Sequence, residues 1–142
     1  MTTLDRNVIR RHLEELEEVL TYLRTKKQTR DTDLHASYEL RLAIERALHL
    51  AIQNVIDVGN HVLAVLAVKE VETYADIPQL LARHHVIPEK LAGELTNMAR
   101  FRNLLVHEYV KIETKKLVEF LHHRLDDFTC FAQAIGTWLG KA

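Results

Sequence analysis

Between Arg100 and Tyr109 the chain reads Arg-Phe-Arg-Asn-Leu-Leu-Val-His-Glu-Tyr. Within it, Arg102, Asn103, His107 and Tyr109 put a guanidinium, an amide, an imidazole and a phenol in one short stretch. Histidine ordinarily titrates near pH 6.5, so His107 can give or take a proton close to neutrality. Arginine keeps its charge and can grip a phosphate with two parallel hydrogen bonds, so Arg102 can stabilise an anion. Asn103, four residues before His107, would share its helical face and could orient the ring or donate to a phosphate oxygen. Proton transfer beside an anionic centre is the chemistry this set can perform.

Spacing constrains that reading. Five residues on a regular helix separate Arg102 from His107 by about 140°, so either the helix loosens before His107 or a second subunit completes the site across a two-fold axis. A purely structural role is also open. A histidine at a helix C-terminus is favourable beside the negative dipole end, Arg102 could pair with a carboxylate such as Asp57, and Tyr109 could simply pack.

Other chemistries find less support. The nine histidines include no pair at i and i+4 and no His-Glu-x-x-His, so a protein-bound metal is not expected. Ser37 is the sole serine and lacks a nucleophile elbow. The sequence has no Gly-rich phosphate loop, and no cofactor is implied. The single cysteine, Cys130, cannot form an intrachain disulfide, which fits a reducing, cytoplasmic setting.

The elements that must position these groups read as helices. Leu13, Leu16, Leu20 and Leu23 make one apolar stripe, giving an amphipathic helix from about residue 4 to 27 with an acidic outer face at Glu14, Glu15, Glu17 and Glu18. A basic connection over Arg24, Lys26, Lys27 and Arg30 leads to Asp31, Thr32 and Asp33, which suit a helix start. From about His35 to Leu66 the apolar residues advance at helical spacing without proline, and those lying off the main stripe suggest burial on more than one side and self-association. Asp76 can cap a short helix with Pro78 in its first turn, ending near His84 and His85. Pro88 opens the helix that carries Arg102. A last helical segment runs along Leu117, Leu121, Leu125, Phe128, Ala132 and Ile135 and ends near Gly136 to Gly140.

The expectation is an all-α, up-and-down bundle of four to five helices, forming one domain over residues 1–142. Composition agrees. Hydrophobic residues make up 47% and charged residues 27%, which suits a folded core. Only four Gly and two Pro occur, which argues against turn-dense β architectures. A net charge of −1 excludes a uniformly basic nucleic-acid coat, although Arg100, Arg102, Lys111, Lys115 and Lys116 outnumber Glu108 and Glu113 locally. Arg100 and Lys111 are therefore candidate contacts for nucleic-acid phosphates, and Lys26 and Lys27 could extend that field, with a solvated turn as the alternative. No apolar stretch approaches membrane-spanning length, and the N-terminus lacks an apolar signal core.

The string Arg102-Asn103-x-x-x-His107-x-Tyr109, at the end of the fourth helix, resembles the active-site motif of HepT-type toxins in the HEPN superfamily of small helical ribonucleases. Arg46, Asp57 and Asn60 in the central helix are also similar to that family. The resemblance covers nearly the whole chain. It implies a HEPN-like homodimer acting as a metal-independent endoribonuclease, with Arg102 and His107 of both subunits lining a shared cleft and Asn103 supporting them. It further implies attack of a ribose 2′-hydroxyl on the neighbouring phosphate. The partner it implies is a minimal nucleotidyltransferase antitoxin, MntA-like, that attaches AMP to Tyr109, adding bulk and charge where RNA must lie. Tyr109 could also stack a base in the unmodified protein.

The competing reading is a catalytically inactive HEPN-like bundle that serves as a binding partner of a nucleotidyltransferase. A histidine phosphotransfer bundle fits less well, because Glu108 directly follows His107. Transfer RNA and messenger RNA are both open as substrates, and a compact cleft better suits a protruding single-stranded end such as that of tRNA.

Overall fold

The computed structural model describes residues 2–107 and 111–142. Among them stand seven helices: α1 (Arg6–Thr25), α2 (Asp31–Ala36), α3 (Tyr38–Val65), α4 (Asp76–Arg83), α5 (Glu89–Val106), α6 (Thr114–His123) and α7 (Leu125–Lys141). The architecture is the expected helical bundle. Two segments read as continuous from their apolar stripes are divided. Ser37 takes extended backbone (φ −134°, ψ 103°) and its hydroxyl accepts from the Leu40 N–H, so α3 starts afresh there and α2 becomes a separate turn-and-a-half. Arg124 similarly parts α6 from α7, its guanidinium lying 3.1 Å from Glu94 of α5 and 3.8 Å from Asp127.

α3 is the axis of the bundle, and twelve of its residues are buried. α1 runs antiparallel to it. Its N-cap, Asp5, accepts from the Asn7 and Val8 N–H groups and donates its own backbone N–H to His61 Nε2 at 3.2 Å. Further along, His12 Nδ1 meets the buried Asn54 Oδ1 at 2.8 Å. Of the stripe foreseen for α1, Leu16, Leu20 and Leu23 are buried and Leu13 is half-buried, and Ile9 extends the buried face by a turn. α7 closes over α1, with the Arg6 guanidinium donating to the Leu139 carbonyl at 2.9 Å and the Ala142 carbonyl at 3.1 Å. Such pairing satisfies the open end of α7 and complements its dipole. Phe128, Phe131 and Ile135 are wholly buried beneath it.

Two contacts fix the surroundings of α5. The Phe101 and Phe120 rings stack with centroids 4.5 Å apart, tying α5 to α6. Gly59 lets α4 approach α3 closely, because a Cβ there would stand 2.5 Å from Ile77 Cγ2. Asp76 does not cap α4 in the expected direction. Its Oδ2 accepts from the Glu72 and Thr73 N–H groups, which precede the helix, at 3.1 and 2.9 Å. Those backbone bonds, Thr73's first and then Glu72's, hold the Asp76 carboxyl below the usual carboxylate range. They also fold the Glu72–Ala75 turn onto the start of α4.

Candidate functional site

Arg46, His49, Gln53 and Asp57 follow one another on α3 at spacings of three, four and four, so they lie along one side of that helix. Arg102 of α5 meets this side. Its Nε donates to Gln53 Oε1 at 3.0 Å, and Gln53 Nε2 donates to Asp57 Oδ1 at 2.9 Å. The carboxylate expected as a direct partner of Arg102 thus reaches it through an intervening amide. This arrangement orients the guanidinium through an amide, and among the described residues no carboxylate forms a contact ion pair with it. A longer contact, Arg102 Nη1 to Asn103 Oδ1, spans 3.4 Å.

The guanidinium also lies over an aromatic ring. Tyr74, on the pinned turn before α4, places its ring centroid 4.9 Å from Arg102 Cζ, within cation–π range. Nearby, Arg46 Nη1 approaches His49 Nδ1 at 3.1 Å. A guanidinium only donates, so Nδ1 is the acceptor and the imidazole proton sits on Nε2. Burial, and then the positive charges of Arg46 and Arg102, push the His49 pKa down. Both effects favour the neutral imidazole beside Arg102.

α5 ends at Val106, one residue short of the imidazole. His107 is the C-cap, with φ −85° and ψ 112°, and its N–H donates to the Leu104 carbonyl at 3.4 Å. The 140° separation of a continuous helix therefore does not apply, and the exposed His107 leaves from the open end of α5. For the same reason Asn103 does not share a helical face with His107; its contact is with Arg102. Tyr109 and the adjoining Glu108 lie outside the described residues.

The candidate RNA contacts are dispersed. Arg100 points along another side of α5, where it lines a cavity of about 290 Å³ with Phe101, Lys116, Phe120 and Arg124. Lys111 lines a second cavity, of about 530 Å³, with Asp31, His35, Arg41 and Lys115. Lys26 and Lys27 occupy the turn after α1, which is fastened to α6 by His122 Nε2 at 2.9 Å from the Thr29 carbonyl. Because α1 runs antiparallel to α3, that turn lies near the start of α3, roughly 18 Å along the axis from Gln53. The structure therefore does not gather Lys26 and Lys27 with Arg102.

It does gather three residues that the sequence reading passed over: His49, Gln53 and Tyr74. The first two carried a signal, since polar side chains recur at helical spacing through an otherwise apolar α3. Tyr74 carried none. Among the described residues no cluster of His, Cys, Asp or Glu is suited to hold a metal ion, and no helix is long and apolar enough to cross a membrane.

Comparison with known proteins places this geometry in context. A family model described as Ribonuclease HepT-like matches residues 9–135. The chain is 26% identical to the tRNA nuclease HepT of Aphanizomenon flos-aquae over 141 residues, covering 98% of this chain and 95% of that protein. It is 30% identical to the mRNA nuclease HepT of Shewanella oneidensis over 80 residues, covering 56% and 60%. Among solved structures, the Bacillus subtilis cytosolic protein YutE superposes with a TM-score of 0.84 at 25% identity, over 99% of this chain and 94% of that one. A tri-AMPylated Shewanella oneidensis HEPN toxin in complex with its MNT antitoxin shares the fold, with a TM-score of 0.83 at 20% identity over 94% and 99%.

Proposed function

The chain belongs to the HepT-like ribonuclease family, and on that premise we propose that it is the toxin of a toxin–antitoxin pair, an endoribonuclease that cleaves RNA without a metal ion. The observation that carries the reading is the fixed guanidinium of Arg102, bonded to Gln53 and lying over the Tyr74 ring, near the end of the helix from which His107 emerges.

In the proposed reaction the ribose 2′-hydroxyl attacks the adjacent phosphorus and the bond from phosphorus to the 5′-oxygen breaks. The products are a 2′,3′-cyclic phosphate and a free 5′-hydroxyl. His107 moves a proton, either from the attacking hydroxyl or to the leaving oxygen. Arg102 stabilises the charge that builds on the non-bridging oxygens. Asn103 supports Arg102 from the next position along α5. In a homodimer the two copies of this segment would line one cleft, so that the second imidazole supplies the complementary proton transfer.

We read residues 1–142 as one HEPN-like domain acting in the cytoplasm, with a minimal nucleotidyltransferase as its antitoxin and Tyr109 as the residue that receives AMP. Two relatives are named for tRNA and mRNA cleavage, and RNA is the substrate class we assign here. Purified protein incubated with total RNA in chelator should generate cyclic-phosphate ends, and His107→Ala and Arg102→Ala should abolish them. Equal cleavage by parent and variants would remove both residues from the reaction. Incubation with the antitoxin and ATP should add AMP mass that Tyr109→Phe prevents; unchanged labelling of the variant would exclude Tyr109.

A further inference from the structure

Tyr74 is an odd residue to leave at the surface. Its side chain comes from the connection between α3 and α4, and it remains 42% exposed although its ring lies against Arg102. The backbone beneath it is held. Asp76 accepts from the Glu72 and Thr73 N–H groups, the Asp76 N–H donates to the Thr73 carbonyl at 3.1 Å, and the Ile77 N–H donates to the Tyr74 carbonyl at 3.3 Å. α4 in turn is locked to α3 by the close approach at Gly59. A solvent-open aromatic ring is thus carried on a fixed turn beside the guanidinium assigned to the scissile phosphate.

We propose that Tyr74 is a substrate-binding residue, on which a nucleobase flanking the scissile phosphate of a single-stranded RNA stacks. The inference rests on the ribonuclease reading for the identity of the ligand. A base one phosphodiester away from the group held by Arg102 comes within reach of the Tyr74 ring, and aromatic rings bind unstacked bases with little regard to sequence. A paired base in an A-form duplex keeps its faces covered by its neighbours. Tyr74 therefore selects single-stranded over double-stranded RNA, a discrimination that Arg102, which recognises only phosphate, cannot make.

The test measures binding apart from cleavage. In a His107→Ala background, fluorescence anisotropy with a short labelled oligoadenylate should show about tenfold weaker binding on Tyr74→Ala and on Tyr74→Leu, and near-parental binding on Tyr74→Phe. The loss should have the same magnitude at low and high salt, because stacking releases no counterions. Abasic substitutions along the strand should identify one nucleotide whose base matters to the parent and not to Tyr74→Ala. Parental binding by Tyr74→Leu, an equal loss for a blunt RNA duplex, or no base-dependent difference between parent and Tyr74→Ala would each overturn the proposal. So would failure of the His107→Ala protein to bind RNA. Tyr74-dependent binding together with an inert His107-intact protein would instead preserve the stacking assignment and refute the ribonuclease reading.

Discussion

Gln53→Leu isolates the part of the site that the fold itself builds. The substitution keeps comparable side-chain bulk and helix propensity on α3, so the bundle should melt within about 1 kcal/mol of the parent. What it removes is the acceptor 3.0 Å from Arg102 Nε, together with the donor 2.9 Å from the Asp57 carboxylate. A hydrogen bond from a charged donor contributes about 1.5–3 kcal/mol. Gln53 is only half-buried, so water replaces part of it and the lower end applies. If that energy holds the guanidinium in its productive orientation, its loss corresponds to about a tenfold lower single-turnover rate. Gln53→Glu separates orientation from charge. A carboxylate at the same position would still fix Arg102, but would pair with it and sit against Asp57, 2.9 Å from the present amide nitrogen. Its rate should fall at least as far as that of Gln53→Leu although the guanidinium is better anchored. The assay is single-turnover cleavage of a defined RNA, with thermal melts as control. Parental rates for both variants, beside an inactive Arg102→Ala, would refute the argument that the amide relay sets the geometry of Arg102.

Three further outcomes follow from the packing and electrostatics. Gly59→Ala gains about 1 kcal/mol of helix propensity but drives a methyl to 2.5 Å from Ile77 Cγ2, and overpacking of this kind costs about 1–3 kcal/mol; chemical denaturation should show net destabilisation that shrinks when Ile77→Ala is added. Ala67 holds φ at 59° after α3, so Ala67→Gly should stabilise by up to about 1 kcal/mol in the same assay, and any destabilisation would contradict it. The His49 pKa is lowered in the folded state by burial, then by Arg46 and Arg102, so the unfolded chain binds more protons as pH falls below about 6.5. The folded state should therefore lose stability progressively as pH drops through that range, and melts of His49→Gln between about pH 8 and about pH 5 should show a shallower decline than the parent.

Much of the scaffold was legible because apolar spacing and burial have the same cause. The leucine stripe of α1 follows from it, and the start of α5 follows from the fixed φ of Pro88. The breaks at Ser37 and Arg124 were not legible: Asp31 to Asp33 offered an earlier helix start than Ser37, the apolar stripe runs from Leu121 to Leu125 across Arg124, and neither residue is Gly or Pro. There the decisive contacts are a hydroxyl that accepts from the Leu40 N–H and a guanidinium held by Glu94, and a periodicity argument registers neither. Asp76 shows a different limit. Its residue type announced a capping role, but its carboxylate turned back to the Glu72–Ala75 segment, and that reversal is what fixes Tyr74.

The site divides along the same line. Residue type alone singled out Arg102 and His107, because few side chains combine permanent charge with a proton that moves near neutrality. It could not reveal the partners of Arg102, which come from 49 residues upstream in α3 and from a turn with no regular pattern. Nor could helical geometry reconcile the two groups, since a regular helix would have sent them to different sides. The early end of α5 lifts that constraint. β-Branched Val106, followed in sequence by Val110 and Ile112, is a weak helix former, and with the chain extended at His107 the imidazole is no longer bound to the helical register that fixes Arg102. Arg102 is thus held across the bundle by Gln53 of α3 and by Tyr74, while His107 takes its direction from the extended backbone at the end of α5. Under the proposed reaction, the tertiary fold sets the anion holder and the helix terminus sets the direction of the proton carrier.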